Sequence, residues 1–367
     1  MIAGVCRLKL DIIMIKPTIV TLAGHSALEI FHGAKKKQFK TLALVMKGRD
    51  KTYTRYYRNL IDDFLLLDHF KDLNSKATQK LLTGNLIFIP HRYVQVYCDL
   101  DRFEKDFKLP VFGNRRLLKY EEREGRFNQY QILQESGINF PKQYKEAKDI
   151  DRLVLVKVKE KERRYERAFF FAESFADFKS ASAKLLKQGK ITKKDLQEAV
   201  IEEFVLGAQV NFNFFYSPLA CRLELIGTDS RRQTNLDGLI RLPSVWQAKI
   251  LKLQNPSYIE SGHISVTVKE SLLEKAFAMA EKILAACRKI APPGIIGPFA
   301  LQTAITAGPP AEEIVTFDLS LRIPGSPGTG FTPYSGYLFG HSLTFGDRII
   351  MEIEKAIKLN KLKEITS

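Results

Sequence analysis

Short apolar runs alternate with amphipathic segments over the first third of the chain. Residues 26–38 have the spacing of a helix with one apolar face, and the stretch from 47 to 84 reads as mostly charged and helical. The runs with the length and composition of buried strands are TIVTLA (18–23), TLALVM (41–46) and NLIFIP (85–90). Strands that alternate with helices in this way predict a parallel α/β subdomain over residues 1–115.

A different pattern occupies residues 116–205. A helical segment, 126–137, ends at a glycine, and the runs 152–159 and 166–173 have the composition of a β-hairpin. Another helical segment follows, with Ser174 as its N-cap, and the run AVIEEFVLG predicts a further strand. This order of short elements predicts a small lid subdomain made of a hairpin and a helix.

Residues 206–367 predict a larger subdomain that is mostly β and is closed by helices. One strand covers 209–219, and a second begins at Arg222 and runs into a polar loop. A long amphipathic helix over 270–290 and two further apolar runs joined by AGPPAEE come next, before a closing helix. Taken together, the chain predicts the α/β class, built from α/β and α+β subdomains.

The last two apolar runs each carry one oxygen ligand, Gln302 on the first and Asp318 on the second. If the two runs pair as a hairpin, both side chains can point toward one place. Paired strands that present two oxygen groups are typical of the magnesium sites of ATP-dependent ligases, although one ligand here is an amide. The sequence therefore predicts a metal site at Gln302 and Asp318.

Composition narrows the class of protein. The formal net charge is +16, but the basic residues are spread over several clusters and no nucleic-acid-binding motif is present, so we expect no specific nucleic-acid partner. No apolar stretch is long enough to cross a bilayer, and no signal peptide is recognisable. The 4 cysteines are scattered without metal-type spacing, as in a reduced cytoplasmic protein.

Several blocks recur in the same order in one known family. They are GHSAL (24–28), GNRRLLKYEER (113–123), FNFFYSPL (212–219), TNLDGLIRLP (234–243), KESLLEKAF (269–277) and PPGIIGPFALQ (292–302). By these blocks the chain resembles the archaeal formate-dependent 5-formaminoimidazole-4-carboxamide ribonucleotide synthetases, from about residue 16 to the end. The resemblance implies an ATP-grasp fold with an N-terminal parallel α/β subdomain. It also implies a homo-oligomer.

The resemblance further implies a reaction. ATP phosphorylates formate to formyl phosphate, and the amine of a phosphorylated aminoimidazole carboxamide nucleotide then attacks the formyl carbon, in purine biosynthesis. ATP and magnesium or manganese would be the cofactors. Three residues match family positions that bind the nucleotide substrate: His25, Tyr93 and Asn235. His25 lies where a strand is followed by a helix, and proton transfer is also expected of it. Tyr93 stands where the family has serine.

The same comparison implies an ATP site between the lid and the larger sheet. Lys157 matches the strand-borne lysine that meets the ATP phosphates. Glu202 and Glu203 match the adenine hinge, where a carboxylate accepts from the adenine amine, and the Val205 backbone would bond the ring edge. Asn213 stands where the family often has histidine. Arg231 and Arg232 could meet phosphate, or they could form a solvated rim.

Two departures from the family concern the ATP phosphates. The glycine-rich loop of the family is replaced by a charged loop, 159–167, that has no glycine, so backbone N–H groups lose their close approach to phosphate. Gln302 occupies a position where an acidic metal ligand is expected, and the Asp318 side chain is shorter than that of the expected glutamate. Two alternatives to the family reaction therefore stay open: a diverged nucleotide-binding paralogue without formylating activity, and an ATP-grasp ligase with another acid and amine.

Overall fold

Three β-sheets and the helices around them make up the molecule. The computed structural model describes residues 16–122, 126–158, 168–253, 260–308 and 310–367. Within these ranges no helix is long and apolar enough to cross a bilayer. Short 3₁₀ or π turns connect the longer elements at Thr52–Tyr56, Arg58–Leu60, Phe70–Asn74, Arg115–Glu121, Ala147–Asp149, Glu270–Leu272 and Pro327–Phe331.

The first sheet is parallel and has 4 strands in the order β3-β2-β1-β4. Its elements are β1 (Thr18–Leu22), α1 (Ala27–Lys36), β2 (Thr41–Met46), β3 (Asp63–Leu67), α2 (Lys76–Leu81), β4 (Leu86–Phe88), α3 (Arg92–Tyr97) and α4 (Leu100–Asp106). The predicted parallel α/β arrangement is confirmed. The expectation of helix across the stretch from 47 to 84 is wrong, because β3 lies within it. This edge strand is only partly buried, so its pattern is weak.

The second sheet is antiparallel and has 4 strands in the order β5-β8-β6-β7. Its region contains α5 (Gln129–Ser136), β5 (Gln143–Tyr144), β6 (Val154–Val158), β7 (Ala168–Ala172), α6 (Phe175–Lys187), α7 (Lys193–Gln197) and β8 (Val200–Glu203). The predicted hairpin is the β6–β7 pair, and Ser174 caps α6 by accepting from the Asp177 N–H. The glycine-free loop, 159–167, lies outside the described residues.

The third sheet is antiparallel and has 5 strands in the order β11-β10-β9-β12-β13. The remaining elements are β9 (Ala208–Ser217), β10 (Arg222–Gln233), α8 (Leu236–Leu239), α9 (Ser244–Leu253), β11 (Glu260–Ser265), α10 (Leu273–Ile290), β12 (Gly297–Thr306), β13 (Glu313–Ser320), α11 (Tyr334–Phe339), α12 (Phe345–Lys358) and α13 (Leu362–Ile365). The predicted hairpin of two ligand-bearing strands is β12–β13. The sequence pattern did not reveal β11, because ESGHIS is a polar edge strand without apolar alternation.

Alternation along the strands gives the third sheet one apolar and one polar face. In β9, Phe212 and Phe214 are fully buried in a core shared with α5 and α10, and Phe299 and Leu301 of β12 belong to the same core. The residues between them, such as Asn211, point to the opposite face. The apolar face fixes the sheet against its helices, so the polar face is left for the site.

The C-terminal helix α12 packs against α1 of the first sheet, far away in sequence. The contact is close because it is made at glycines: a Cβ on Gly346 would lie 2.0 Å from the Glu29 carbonyl oxygen, and one on Gly33 would lie 2.5 Å from the Gly346 backbone. The Glu29 side chain accepts from the Phe345 N–H at 2.6 Å. This packing fixes the first sheet relative to the third.

Candidate active site

One row of polar side chains crosses the third sheet from edge to edge. Cross-strand pairing aligns Asp229 of β10 with both Ser265 of β11 and Asn211 of β9, Asn211 with Gln302 of β12, and Gln302 with Asp318 of β13. We call these five residues the polar row. Directly paired residues of an antiparallel sheet share a face, so the row presents its polar groups to one side. All but Ser265 are buried.

Asp229 is the centre of a hydrogen-bonded network in this row. It accepts from Asn213 Nδ2 at 2.6 Å and from Asn211 Nδ2 at 2.9 Å, and it contacts His263 Nδ1. The other ring nitrogen of His263 lies 2.8 Å from Glu260 Oε1. Burial opposes a charge on His263, yet the bonds to Asp229 and Glu260 outweigh it and raise the pKa of His263 to about 9. His263 is therefore a cation at neutral pH.

The predicted metal pair is in register, but one ligand oxygen is already used. Gln302 and Asp318 are direct cross-strand partners, as the hairpin predicted. The Gln302 side-chain oxygen accepts from Arg231 Nη2 at 2.5 Å, and its amide nitrogen donates to Ser320 Oγ at 3.3 Å. A guanidinium group and a divalent cation cannot share that oxygen without strong repulsion. The two residues therefore do not fit a magnesium ion bound between them.

Other carboxylates near this pair do not supply the missing metal ligand. Within the described residues, no group of three or more histidine, cysteine, aspartate or glutamate side chains is arranged to hold a metal ion. Magnesium prefers oxygen ligands with negative charge, and Asp318 supplies the one carboxylate of the pair. Metal binding at Gln302 and Asp318 thus stays a prediction that this arrangement does not support.

Arg322, which follows β13, lies near Asp318 and extends the charge toward the first sheet. Arg322 is buried and lies 3.2 Å from Glu121 Oε2, while Arg92 lies 3.8 Å from the same oxygen. Burial lowers the pKa of Arg322. The negative charges of Glu121 and Asp318 raise it, whereas the positive charges of Arg92 and Arg231 lower it further. These influences place Arg92, Arg231 and Arg322 around one region of the cleft, which can attract phosphate groups.

His25 lies where β1 ends, next to the start of α1. The Ser26 hydroxyl donates to the Pro324 carbonyl at 3.0 Å, so it accepts from His25 Nδ1–H, 2.7 Å away. The other nitrogen, Nε2, faces Gly325, where a Cβ would lie only 2.6 Å from it. Although the residue is exposed by surface area, desolvation by the surrounding protein and the positive charges of Arg322 and other neighbours lower the pKa of His25 below its usual range. The ring is neutral, with its lone pair on Nε2.

His91 and Tyr93 join His25 to form what we call the histidine rim. The His25 and His91 rings stack with centroids 5.6 Å apart, as expected for residues that follow neighbouring parallel strands. His91 is fully buried: its Nε2–H donates to the Leu22 carbonyl at 2.7 Å, and its Nδ1 accepts from the Tyr93 N–H. It also caps α3, so the segment 90–95 contains the start of a helix.

Tyr93 fills space beside His25. Its ring centroid lies 6.4 Å from that of His25, and a Cβ on Gly24 would lie 2.0 Å from the Tyr93 ring. The ring also contacts Phe70 at 5.2 Å and Tyr97 at 5.1 Å between centroids. A serine at this position would leave that space open.

The lid places Lys157 and Glu202 in contact with each other. Both side chains are almost completely buried and form an ion pair, and Tyr130 donates to the other Glu202 oxygen at 2.8 Å. Glu203 points to the opposite face of β8, where it lies 3.2 Å from Arg152. Val205 is the second residue after the strand and has a partly exposed side chain. Of the two hinge carboxylates, Glu202 is the one that faces Lys157.

The remaining candidates are placed differently. Asn213 is fully buried beside Asp229, and its Oδ1 has no hydrogen-bond partner among the described residues. Asn235 is exposed and has a positive φ of 62° at the start of α8, which follows β10. The structure therefore groups Asn213 with the polar row, whereas Asn235 lies at an exposed turn.

Sequence reasoning missed Asp229 and His263, which centre the network, and left Arg231 undecided. The signal for two of them was present: Asp229 and Arg231 are two apart on β10, as Asn211 and Asn213 are on β9, so each pair shares a face. His263 lies on β11, a strand that the pattern did not reveal. Its partnership with Asp229 depends on long-range pairing and could not be read locally.

Comparison with known proteins gives the family. Residues 177–367 match a model described as a domain of unknown function (DUF1297), and residues 19–144 match one described as a protein of unknown function (DUF1246). The chain is 38% identical to a 5-formaminoimidazole-4-carboxamide-1-(beta)-D-ribofuranosyl 5'-monophosphate synthetase of Methanocaldococcus jannaschii, over 95% of both chains. A protein of the same name from Methanothermobacter thermautotrophicus is 38% identical, over 95% of this chain and 94% of its own.

Solved structures of similar proteins have the same fold. The IMP biosynthesis protein PurP of Thermococcus kodakaraensis superposes with a TM-score of 0.71 at 27% identity, covering 95% of this chain and all of its own. The ADP complex of N5-carboxyaminoimidazole ribonucleotide synthetase, at 14% identity and a TM-score of 0.63, covers 92% of this chain and 78% of its own and shows the same ATP-grasp fold. The chain belongs to the family of archaeal 5-formaminoimidazole-4-carboxamide ribonucleotide synthetases.

Proposed function

We propose that this chain catalyses the reaction for which its relatives are named, the ATP-dependent formation of 5-formaminoimidazole-4-carboxamide ribonucleotide. The observation that carries the proposal is the 38% identity to a synthetase of that name over 95% of both chains. This extent favours the ligase over a nucleotide-binding paralogue that has lost activity. The reaction would use ATP, formate and a phosphorylated aminoimidazole carboxamide nucleotide.

The first step would join formate to phosphate. A formate oxygen attacks the γ-phosphorus of ATP, the bond from that phosphorus to the bridging oxygen breaks, and ADP leaves. Lys157 and the arginines near Asp318 bear the positive charge that attracts the phosphates. Because Glu202 neutralises Lys157 in the absence of nucleotide, ATP would have to compete with that carboxylate for the lysine.

The second step would transfer the formyl group. The amine of the nucleotide attacks the formyl carbon, the bond from that carbon to the phosphate oxygen breaks, and phosphate leaves. The amine must also lose a proton. His25 Nε2 is neutral and has its lone pair directed away from Ser26. Its lowered pKa makes it a weak base, which can still take the proton once the attacking amine has become an acidic ammonium. We place the imidazole nucleotide beside His25 and Tyr93, with Asn235 as a further expected contact.

A homo-oligomer is also part of the proposal. Several large apolar side chains are exposed on α9, on α11 and in the turn before α11: Val245, Trp246, Leu253, Phe331, Tyr337 and Leu338. Patches of this kind often mark contacts between subunits. Light scattering coupled to gel filtration measures the mass directly, and a monomer at micromolar concentration would contradict this part of the proposal. A cytoplasmic location stays an expectation.

The test of function is a reaction with purified protein, ATP, magnesium chloride, labelled formate and aminoimidazole carboxamide ribonucleotide. We expect equal amounts of ADP and labelled formylated nucleotide, and neither product when formate is left out. Replacing formate by acetate tests for a different acid. ADP release without a labelled product, or turnover with acetate but not formate, would overturn the proposed reaction.

A further inference from the structure

The Glu260 carboxylate bridges two cations beside the polar row. Its Oε1 lies 2.8 Å from His263 Nε2, and its Oε2 lies 3.1 Å from Arg231 Nε. Arg231 of β10 and His263 of β11 are direct cross-strand partners, so their side chains share one face of the sheet. Two cations that each meet one oxygen of a single carboxylate form a receptor for a carboxylate group.

Both cations are held by a second contact that does not involve Glu260. His263 Nδ1 contacts Asp229, whose side chain is fully buried. Arg231 Nη2 donates to Gln302 Oε1 at 2.5 Å, and Gln302 is buried as well. These contacts orient His263 Nε2 and Arg231 Nε toward one place whether or not Glu260 lies between them.

Glu260 is the most exposed of the three side chains. It is 43% exposed, whereas the side chains of Arg231 and His263 are 20% and 12% exposed. A glutamate at the surface regains hydration and conformational freedom when it turns toward water, so its ion pairs add little net free energy. Once Glu260 turns away, the two cations are bonded to one carboxylate, Asp229, and one positive charge is left for an anion.

The position of this receptor suits the acid of the proposed reaction. On one side, Arg231 is bonded to Gln302, the cross-strand partner of Asp318, near which we place the phosphates of ATP. On the other side, the charge on His263 is close enough to His25 to lower the pKa of that histidine. Formate must reach the γ-phosphate in the first step and the nucleotide amine in the second. A carboxylate held between these two groups can reach both.

We propose that Arg231 and His263 form the subsite that binds the carboxylate of formate, and that Glu260 occupies this subsite until formate replaces it. Asp229 and Gln302 are positioning residues, since they act through the two cations. The formate oxygen at Arg231 is the one nearer the phosphates, so it is the oxygen that attacks the γ-phosphorus in the step described above. The inference rests on the proposed function, because it takes formate as the acid.

The test is the KM for formate, measured with ATP and the nucleotide at saturation. His263→Gln and Arg231→Met should each raise this KM by about tenfold or more, because each removes a charge-assisted hydrogen bond to the substrate. Glu260→Gln keeps the shape of the side chain but removes its charge, so it should lower the KM for formate by about threefold or more. If the ion pairs of Glu260 were only structural, their loss would not improve formate binding.

Arg232 provides the matched control for Arg231. It is the next residue on β10, faces the other side of the strand and pairs with Asp237 at 3.4 Å, so Arg232→Met should leave the KM for formate unchanged. His263→Gln should also keep the KM for ATP within about twofold of the wild-type value, which a general loss of structure would not do.

Formate binding is also measured without turnover, from the broadening of the formate proton NMR line when protein and ADP are added. An unchanged KM for formate in His263→Gln and Arg231→Met, or a raised one in Glu260→Gln, would overturn the inference and leave the proposed function standing. No formylated product from the wild-type protein would overturn the proposed function. The line width then decides the inference, which an equal width with wild type and His263→Gln would overturn as well.

Discussion

The histidine rim and the polar row hold two histidines in opposite states within one cleft. His25 on the rim is exposed but lies among cations and stays neutral, whereas His263 beside the row is bonded to two carboxylates and stays charged. The two are close enough that the charge on His263 itself contributes to lowering the pKa of His25. The same side chain thus acquires different chemistry from its neighbours.

This difference separates two tasks of the proposed reaction. The rim has a neutral nitrogen with a lone pair, which suits proton removal from an amine. His263 and the arginines around the polar row have positive charges that are set before any ligand arrives, which suits a polyphosphate. Three predictions test this division.

The largest effect is expected at His25. His25→Ala should lower the rate of formylated nucleotide production by about 100-fold or more, because the base for the amine proton is lost. ATP affinity should not change, since the polyphosphate is placed on the other side of the cleft. Because the pKa of His25 lies far below its usual range, the wild-type rate should show no fall near pH 6.5. The measurements are a rate profile from pH 6 to pH 8 and calorimetry.

His32 is the control for this substitution. It lies on the exposed side of α1, the helix that follows His25, so His32→Ala should retain the full rate. If His25→Ala kept more than about a tenth of the wild-type rate, another group would have to take the amine proton, and the rim would be a binding surface alone.

The next effect concerns stability at His263. A histidine whose pKa rises from 6.5 to about 9 on folding contributes stability that is complete below pH 6.5 and is lost as the pH rises through 9. His263→Gln should remove this contribution, which is on the order of 2 kcal/mol in the free energy of unfolding. Urea unfolding of both proteins at pH 6 and at pH 9.5 measures it.

The comparison between the two proteins cancels other groups that titrate in this interval, such as Glu29, whose pKa burial raises to about 7. We expect a large difference in stability at pH 6 and a small one at pH 9.5. Equal differences at the two pH values would mean that His263 is neutral and that the surroundings of the polar row have less positive charge than we infer.

The smallest effect is expected at Tyr93. Tyr93→Ser should cost about 1 kcal/mol of stability, because the ring loses its contacts with Phe70 and Tyr97. It should raise the affinity for aminoimidazole carboxamide ribonucleotide several-fold, since the ring no longer fills the space beside Gly24 and His25. Thermal unfolding and calorimetry with the nucleotide give the two values.

Tyr97→Ser separates these two effects. Tyr97 contacts the same Phe70 ring but is not among the nearest neighbours of Gly24, so its loss should lower stability without raising nucleotide affinity. Weaker nucleotide binding by Tyr93→Ser would show instead that the tyrosine hydroxyl contacts the substrate, in the way expected of the serine of the family.

Much of the fold could be read from local pattern. The strands β1, β2, β4, β9, β12 and β13 and the helix α10 are long or strongly apolar, so their periodicity is clear. The edge strands β3 and β11 were not predicted, because an edge strand is partly exposed to solvent and carries polar residues. Elements were thus predictable in proportion to how completely each one is buried.

The candidate site divides in a similar way. The pairing of Gln302 with Asp318 was expected from the predicted hairpin. The closeness of His25 to His91 follows from the order of the parallel strands. The contact between Lys157 and Glu202 was not expected, since each was assigned separately to ATP. The partners in these contacts lie on different strands, so the spacing of residues along the chain cannot predict which of them will touch. The roles of the individual site residues stay predictions.

The sequence by itself determined the order of the three sheets, the α/β class and the two oxygen groups on adjacent strands, because periodicity and turn residues act locally. Only the tertiary structure decided what those groups do. It brought Arg231 to the Gln302 oxygen and put Asp229 beside His263. Charge state depends on burial and on neighbours that are distant along the chain, and folding alone assembles these.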